Sequence, residues 1–188
     1  MSVGAPADPA TDSPELRARA VLAQRARVLA RPTRHDTSGQ LLPLVLFGIG
    51  GVAHAVEARF VREVLRRPAL SMVPSAPAAL VGVASVRGEI LVVADISALL
   101  GLRAPSMPGP VIVLDGPGPS LGLLVEAVHD FTEVPVDSIV PLPHGGTPTG
   151  PAPESLLLGA TDEATVLSGT AMLTDPRFST TTEPRSGR

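Results

Sequence analysis

The sequence lacks cysteine, lysine, tryptophan and tyrosine, and it contains only four phenylalanines in 188 residues. The absence of cysteine excludes disulfides, thiolate metal sites and a cysteine nucleophile. Aromatic rings are the usual stacking platforms for unpaired bases, so an aromatic content of 2% argues against nucleic-acid binding. No apolar run approaches the length of a membrane span, and the N-terminus lacks a signal-peptide type stretch. We therefore expect a cytoplasmic protein without direct membrane insertion.

Aliphatic residues supply most of the 44% hydrophobic content, so the interior must be built from Val, Leu, Ile and Ala. The net charge of -3 conceals one local asymmetry: the stretch 15–34 contains six arginines and a single acid, Glu15. Ser13 is a suitable N-cap and Pro14 suits a first helical position, so we predict a basic helix over residues 14–31.

The chain divides into three predicted parts. Residues 1–40 comprise a disordered leader, the basic helix and a linker; residues 41–178 form the folded body; and residues 179–188 are a disordered tail. Within the body, short β-type runs flank the turns Gly50-Gly51 and Arg87-Gly88, which predicts two hairpins. Further predicted strands are 111–114, 121–125, 128–134, 156–160 and 165–168, with single helical turns at 96–100 and 170–173 and a Pro/Gly-rich loop at 141–153.

The two halves of the body resemble each other. The tripeptide Val-Glu-Ala at 56–58 recurs at 125–127, each time after a hairpin, and the segment from Gly82 to Leu99 is echoed from Gly159 to Leu173. Two small barrels arranged in tandem would explain both echoes.

No set of residues in the chain predicts catalysis. The pair His129-Asp130 lies on a predicted strand, where neighbouring side chains point to opposite faces. The glycines at 48, 50 and 51 are followed neither by a helix nor by an acid at ribose distance, which favours a turn over a dinucleotide loop. The histidines lack metal-ligand spacing. We therefore expect no enzyme activity, no metal and no cofactor.

The body resembles the CheW family, the adaptors of bacterial chemosensory arrays. Four ordered motifs carry the resemblance over about residues 42–175: 61–65 (VREVL), 73–77 (VPSAP), 81–95 (VGVASVRGEILVVAD) and 122–128 (GLLVEAV). Ser85-Val86 stands where the family has Asn-Leu, and Val92 stands where it has Pro. The resemblance implies an all-β fold of two packed, five-stranded SH3-like β-barrels, to which the N-terminal helix is added.

The same resemblance implies a function in bacterial signal transduction. The expected partners are the cytoplasmic tip of a methyl-accepting chemoreceptor and the regulatory domain of a CheA-type histidine kinase, coupled by protein–protein binding. The protein-binding residues it points to are Val61, Glu63, Arg87 and Gly88, with Val125 and Val128 on the other wall of a groove. We also predict that Glu63 and Arg87 form an ion pair.

Several interpretations stay open beside this one. A divergent relative could bind only one partner and act as a regulator or competitor. A barrel that binds a small ligand or hydrolyses a substrate belongs to another class. Gly82, Gly88 and Gly122 have a simpler interpretation as turn glycines, and Asp95 as a cap of the helical turn that begins at Ile96.

Overall fold

The computed structural model describes residues 39–74, 76–104, 109–142, 146–147, 150–151 and 153–178. The predicted leader, basic helix and C-terminal tail all lie outside these ranges. The proposed boundaries at residues 40 and 178 therefore stay predictions.

Strands dominate the described residues, as the alternating apolar pattern predicts. The strands are β1 (Leu41–Ile49), β2 (Val52–Glu57), β3 (Val61–Leu65), β4 (Leu80–Val86), β5 (Glu89–Ala94), β6 (Val111–Gly116), β7 (Gly118–Leu124), β8 (Ala127–Pro135), β9 (Gly146–Thr147), β10 (Gly150–Pro151), β11 (Leu157–Ala160) and β12 (Thr165–Leu167). Among these residues, α1 is an α-helix at Gly169–Thr174, and 3-10 turns occupy Ala58–Phe60, Ala98–Leu100, Val136–Ser138, Glu154–Leu156 and Pro176–Phe178.

Local turn signals correctly predict both hairpins. Gly50 and Gly51 have φ angles of 60° and 74°, the left-handed conformations that a tight β1–β2 turn requires. Gly101, with φ of 68°, ends the 3-10 turn after β5. The loop prediction over 141–153 is wrong in part, because β9 and β10 pair there over two residues each.

Two five-stranded sheets confirm the all-β prediction. Sheet A has the order β11-β12-β2-β1-β8, and sheet B has the order β3-β6-β7-β5-β4. Adjacent strands are antiparallel except for two parallel pairs, β2 with β12 and β5 with β7. The two sheets therefore repeat the same sequence of antiparallel and parallel pairings.

An isolated bridge adds one further pairing to each sheet. In sheet B, Ser71 beyond β3 exchanges two backbone hydrogen bonds of 2.8 Å with Val83 of β4. In sheet A, Val140 beyond β8 exchanges two such bonds of 2.8 Å with Ala160 at the end of β11. In both cases the chain that leaves one edge strand returns to the opposite edge strand.

Each sheet combines strands from both halves of the chain. Sheet A takes β1 and β2 from the first half and β8, β11 and β12 from the second, whereas sheet B takes β3, β4 and β5 from the first half and β6 and β7 from the second. The repeated tripeptides occupy equivalent places, since one ends β2 and the other follows β7. The internal repeat thus corresponds to two similar halves that exchange strands.

The core consists of three aliphatic clusters. The largest includes Phe47, Ile112, Leu123 and Met172, and it draws on strands of both sheets. A second cluster belongs to sheet B and a third to sheet A. Apolar side chains on both faces of the sheets are buried in this way, as expected for two packed β-units.

Gly122 is not a turn glycine, which corrects one prediction. It lies inside β7, where an added Cβ would come within 2.9 Å of Val111 and 3.0 Å of Val93, so the packed strands leave no room for a side chain. Gly82 also lies in a strand, at a register shift between β4 and β5. Gly88 is a turn glycine as predicted, with φ of 87°. Asp95 accepts a 2.8 Å hydrogen bond from the Ser97 backbone N–H, which confirms its capping role.

Candidate functional site

The predicted ion pair between Glu63 and Arg87 is present. A guanidinium nitrogen of Arg87 donates to Glu63 Oε2 over 3.1 Å. The Arg87 side chain is 81% exposed, whereas that of Glu63 is only 20% exposed. The pair therefore consists of an anchored carboxylate in the sheet and an exposed arginine that reaches it from a turn.

The conformation of the β4–β5 turn places Arg87 beside Glu63. Arg87 has a left-handed φ of 51°, and Gly88 follows with φ of 87°. A left-handed arginine costs on the order of 1 kcal/mol, because its Cβ crowds the backbone. The strained backbone at this turn is thus part of what brings the guanidinium to β3.

Arg62 is a site residue that our sequence analysis missed. Its guanidinium lies 3.7 Å from Glu63, 3.6 Å from Glu89 and 3.9 Å from Asp115. It also donates to the hydroxyl of Ser120 over 3.5 Å. One arginine on β3 therefore contacts the start of β5 and both strands of the β6–β7 hairpin.

A β-bulge interrupts β3 at Arg62, next to Glu63. Val61 pairs with Leu114 and Glu63 pairs with Val113, so Arg62 is an extra residue with no partner on β6. Consecutive side chains of a regular strand point to opposite faces, and a bulge changes that alternation. The sequence offers only the adjacent charges Arg62-Glu63 at this point, and they do not predict a bulge.

The other predicted binding residues occupy different environments. Val61 and Val128 are partly buried and pack against the largest core cluster. Val125 is fully buried in that cluster, so its side chain supports the surface from below. The structure thus brings Glu63 and Arg87 into contact on sheet B. Val61 lies on β3 of the same sheet, Gly88 lies in the β4–β5 turn, and Val128 lies on β8 of sheet A.

Exposed apolar side chains also occur on the strands that carry these charges. Ile90 on β5 is 78% exposed, and Val64 on β3 is also exposed. A shallow groove is lined by Arg59, Phe60, Val61, Arg62, Asp115 and Gly116. Such a mixture of exposed aliphatic side chains and paired charges is typical of a protein-binding surface.

The pair His129-Asp130 shows no convergent geometry for catalysis. Val128 pairs with Phe47 and Asp130 pairs with Leu46, so His129 is the extra residue of a bulge like that at Arg62. The Asp130 carboxylate accepts a 2.8 Å hydrogen bond from the adjacent Phe131 N–H. Both side chains lie on the exposed surface of β8.

The described residues lack two further features. They contain no cluster of three or more His, Cys, Asp or Glu side chains suited to a metal ion. In the same part of the chain, every helix is too short or too polar to cross a membrane.

Comparison with known proteins identifies the family. The model of the CheW-like domain family matches residues 43–174. The chain is 33% identical to the chemotaxis protein CheW of Rhizobium meliloti (strain 1021) over 117 residues, which cover 61% of this chain and 75% of that protein. It is 33% identical to a probable chemotaxis protein CheW of Rhizobium etli over 102 residues, which cover 53% and 66%.

A solved structure shows the same fold. The crystal structure of the scaffolding protein TtCheW from Thermoanaerobacter tengcongensis aligns with a TM-score of 0.58 and 21% identity, over 73% of this chain and 88% of that chain. The chain therefore belongs to the CheW-like family. Its function is that of an adaptor in bacterial chemotaxis.

Proposed function

We propose that this adaptor couples the cytoplasmic tip of a chemoreceptor to the regulatory domain of a CheA-type histidine kinase. It acts in the cytoplasm by protein–protein binding and without catalysis. The observation that carries the proposal is the Glu63–Arg87 pair, at 3.1 Å, on the sheet of a CheW-like domain. A half-buried acid with an exposed arginine offers a fixed arrangement of charge that a partner can recognise.

The proposed receptor-facing groove has two walls. Val61, Glu63, Arg87 and Gly88 form the first wall, on sheet B. Val128 forms the second wall, and the buried Val125 supports it from the core. Arg87 supplies the exposed charge, Glu63 fixes its direction, and Gly88 permits the turn that holds it.

We further infer that each five-stranded sheet is an SH3-like barrel. The bridges Ser71–Val83 and Val140–Ala160 support this inference, because each connects the two edge strands of one sheet. Closure of a sheet in this way removes free edges that would otherwise pair with other chains.

Retention experiments test the coupling function. The immobilised protein is mixed with a receptor cytoplasmic fragment, with the kinase regulatory domain, and with both. We expect it to retain each partner alone and both together. Retention of only one partner would contradict coupling and would favour a regulator or competitor.

The groove is tested by a double-mutant cycle of Glu63→Ala and Arg87→Ala, read by receptor-fragment binding and by unfolding. We expect each single change to weaken binding and the double change to cost less than their sum, because either change removes the same interaction. Coupling in stability is expected to stay within about 1 kcal/mol, since Arg87 is largely exposed.

The control is Arg177→Ala, which removes the arginine paired with Asp175 outside the groove. This variant should leave receptor binding unchanged. Strictly additive effects of Glu63→Ala and Arg87→Ala on binding would show that the pair does not organise the surface.

A further inference from the structure

We propose that Arg62 is a positioning residue that holds Glu63 in the orientation required for its pair with Arg87. This inference rests on the proposed function, since the pair is the centre of the proposed receptor-facing groove. It adds a second arginine, which lies near the Oε1 atom of Glu63, whereas Arg87 contacts Oε2.

Glu63 depends on two different arginines. Its two carboxylate oxygens have different contacts: Oε2 accepts the hydrogen bond from Arg87, whereas Oε1 is buried and accepts no hydrogen bond from any described residue. The positively charged guanidinium of Arg62 lies near Oε1, with its Nε atom at 3.7 Å. Because a buried carboxylate oxygen without a nearby cation is costly, removal of Arg62 favours rotation of Glu63 toward solvent.

Arg62 is itself held in place by several acids. Its side chain is 31% exposed and lies among three acids, with Glu89 at 3.6 Å and Asp115 at 3.9 Å beside Glu63 at 3.7 Å. These acids come from β3, β5 and β6, so Arg62 is restrained from several directions. A network of this kind holds a side chain better than an isolated surface pair does.

The bulge in β3 affects the contact between Arg62 and Glu63. Arg62 is the unpaired residue between the pairs Val61–Leu114 and Glu63–Val113. A regular strand would turn Arg62 and Glu63 to opposite faces, and the charge contact would be lost. The backbone irregularity thus has a local consequence, which is the contact between these two side chains.

The proposal is tested first without any partner. Restricted rotation of the Arg87 guanidinium is measured by ¹⁵N NMR line shapes in the wild type and in Arg62→Ala, Arg62→Lys, Glu63→Ala and Arg66→Ala. Arg66 is the matched control, because it is an exposed arginine just beyond β3. We expect restricted rotation in the wild type and in Arg66→Ala, and free rotation in Glu63→Ala and in Arg62→Ala.

Arg62→Lys should restore part of the restriction, because lysine keeps the charge but lacks the planar fork of donors. Restricted rotation of Arg87 in Arg62→Ala would overturn the proposal, and so would free rotation in the wild type. Neither result depends on a partner, so the positioning role and the coupling function fail separately.

The second measurement is affinity for the receptor fragment. We expect Arg62→Ala to weaken binding on the order of tenfold and to abolish the coupling between Glu63→Ala and Arg87→Ala, while Arg66→Ala leaves both unchanged. Thermal unfolding of the variants provides the control for folding. Coupling of the same size in the wild-type and Arg62→Ala backgrounds would overturn the proposal, because Arg62 would then act independently of the pair.

Discussion

Buried polar side chains are few among the described residues of this aliphatic interior, and they differ in how well their polar atoms are paired. Glu57 accepts a 2.8 Å hydrogen bond from the Gly169 N–H and a 2.7 Å bond from Arg59, so its charge is satisfied although the residue is buried. His54 is different. Its Nδ1 lies 3.0 Å from the Val52 carbonyl, its ring stacks on Phe47, and its Nε2 is buried without a hydrogen-bond partner in the structure.

His54 is expected to make the fold sensitive to acid. Burial lowers the pKa of His54 below its usual 6.5, and the hydrogen bond to Val52 opposes this only in part. In the unfolded chain, His54 therefore binds a proton near pH 6.5, whereas in the folded chain it stays neutral to a lower pH. The stability contributed by neutral His54 is complete above that pH and falls as pH decreases, with a limiting slope of about 1.4 kcal/mol per unit.

The measurement is the free energy of unfolding between pH 7.5 and 5.5, in the wild type, in His54→Leu and in His129→Ala. We expect the slope to decrease in His54→Leu and to persist in His129→Ala, where the replaced histidine is exposed. Interaction with Arg177 lowers the pKa of Asp175 below its usual 3.8, so that group contributes only under more acidic conditions. Equal slopes in the wild type and His54→Leu would contradict the assignment.

At the residue scale, the sequence predicts what depends on chemical type and misses what depends on strand irregularity. The ion pair of Glu63 and Arg87 was predicted because the resemblance to the CheW family places an acid and an arginine at these positions, and the structure contains it. The role of Arg62 depends on a bulge in β3, which is set by the register with β6. Glu57 gave no signal either, because its partner Gly169 is 112 residues away.

At the scale of the elements, the two isolated bridges Ser71–Val83 and Val140–Ala160 depend on glycine. An added Cβ on Gly82 would lie 2.5 Å from the Ser71 carbonyl oxygen, and one on Gly159 would lie 2.6 Å from the Val140 carbonyl oxygen. These two oxygens accept the bridge hydrogen bonds from Val83 and Ala160, respectively. A methyl group at either glycine would therefore displace the carbonyl that accepts the bridge hydrogen bond.

Gly82→Ala and Gly159→Ala should each destabilise the fold by about 2 kcal/mol or more, since a bridge is disrupted and the backbone is strained. Gly51→Ala is the matched control, because Gly51 has a left-handed φ of 74° but no atom within 4 Å of its added Cβ. Chemical unfolding of the three variants should show a smaller loss for Gly51→Ala. A loss of the same size in all three would mean that backbone strain alone, without the collision, is responsible.

Element prediction from sequence succeeds where the signal is local. Short β-type runs on either side of Gly50-Gly51 and of Arg87-Gly88 predict the β1–β2 and β4–β5 hairpins, which span neighbouring residues. The parallel pairs β2–β12 and β5–β7 join segments that are far apart in sequence, and no local pattern specifies them. The family resemblance supplied the five-stranded arrangement that periodicity alone could not.

The whole molecule is organised by exchange of strands between two similar halves. Within the first half, the named pairings are the hairpins β1–β2 and β4–β5; within the second half, the larger pairings are β6–β7 and β11–β12. The contacts β1–β8, β2–β12, β3–β6 and β5–β7 all join one half to the other. The largest core cluster also draws residues from both halves.

We therefore expect that neither half folds alone. Expressed separately, residues 39–104 and 109–178 should lack cooperative thermal unfolding, because isolated hairpins are marginally stable in water. When the two fragments are mixed, they should associate one to one and recover cooperative unfolding, with a midpoint that rises with concentration. Circular dichroism and size-exclusion chromatography measure both outcomes.

The control divides the chain elsewhere, between residues 51 and 52 in the β1–β2 turn. This cut separates β1 from its partners β2 and β8, but it leaves the inter-half pairings β2–β12, β3–β6 and β5–β7 within one fragment. Fragments cut there should also require each other, but the larger fragment retains all of sheet B and should keep part of the strand content. Cooperative unfolding of residues 39–104 alone, near the midpoint of the intact chain, would contradict the prediction. The stability of this adaptor would then come from each half separately, and the exchanged strands would be only a connection between two independent units.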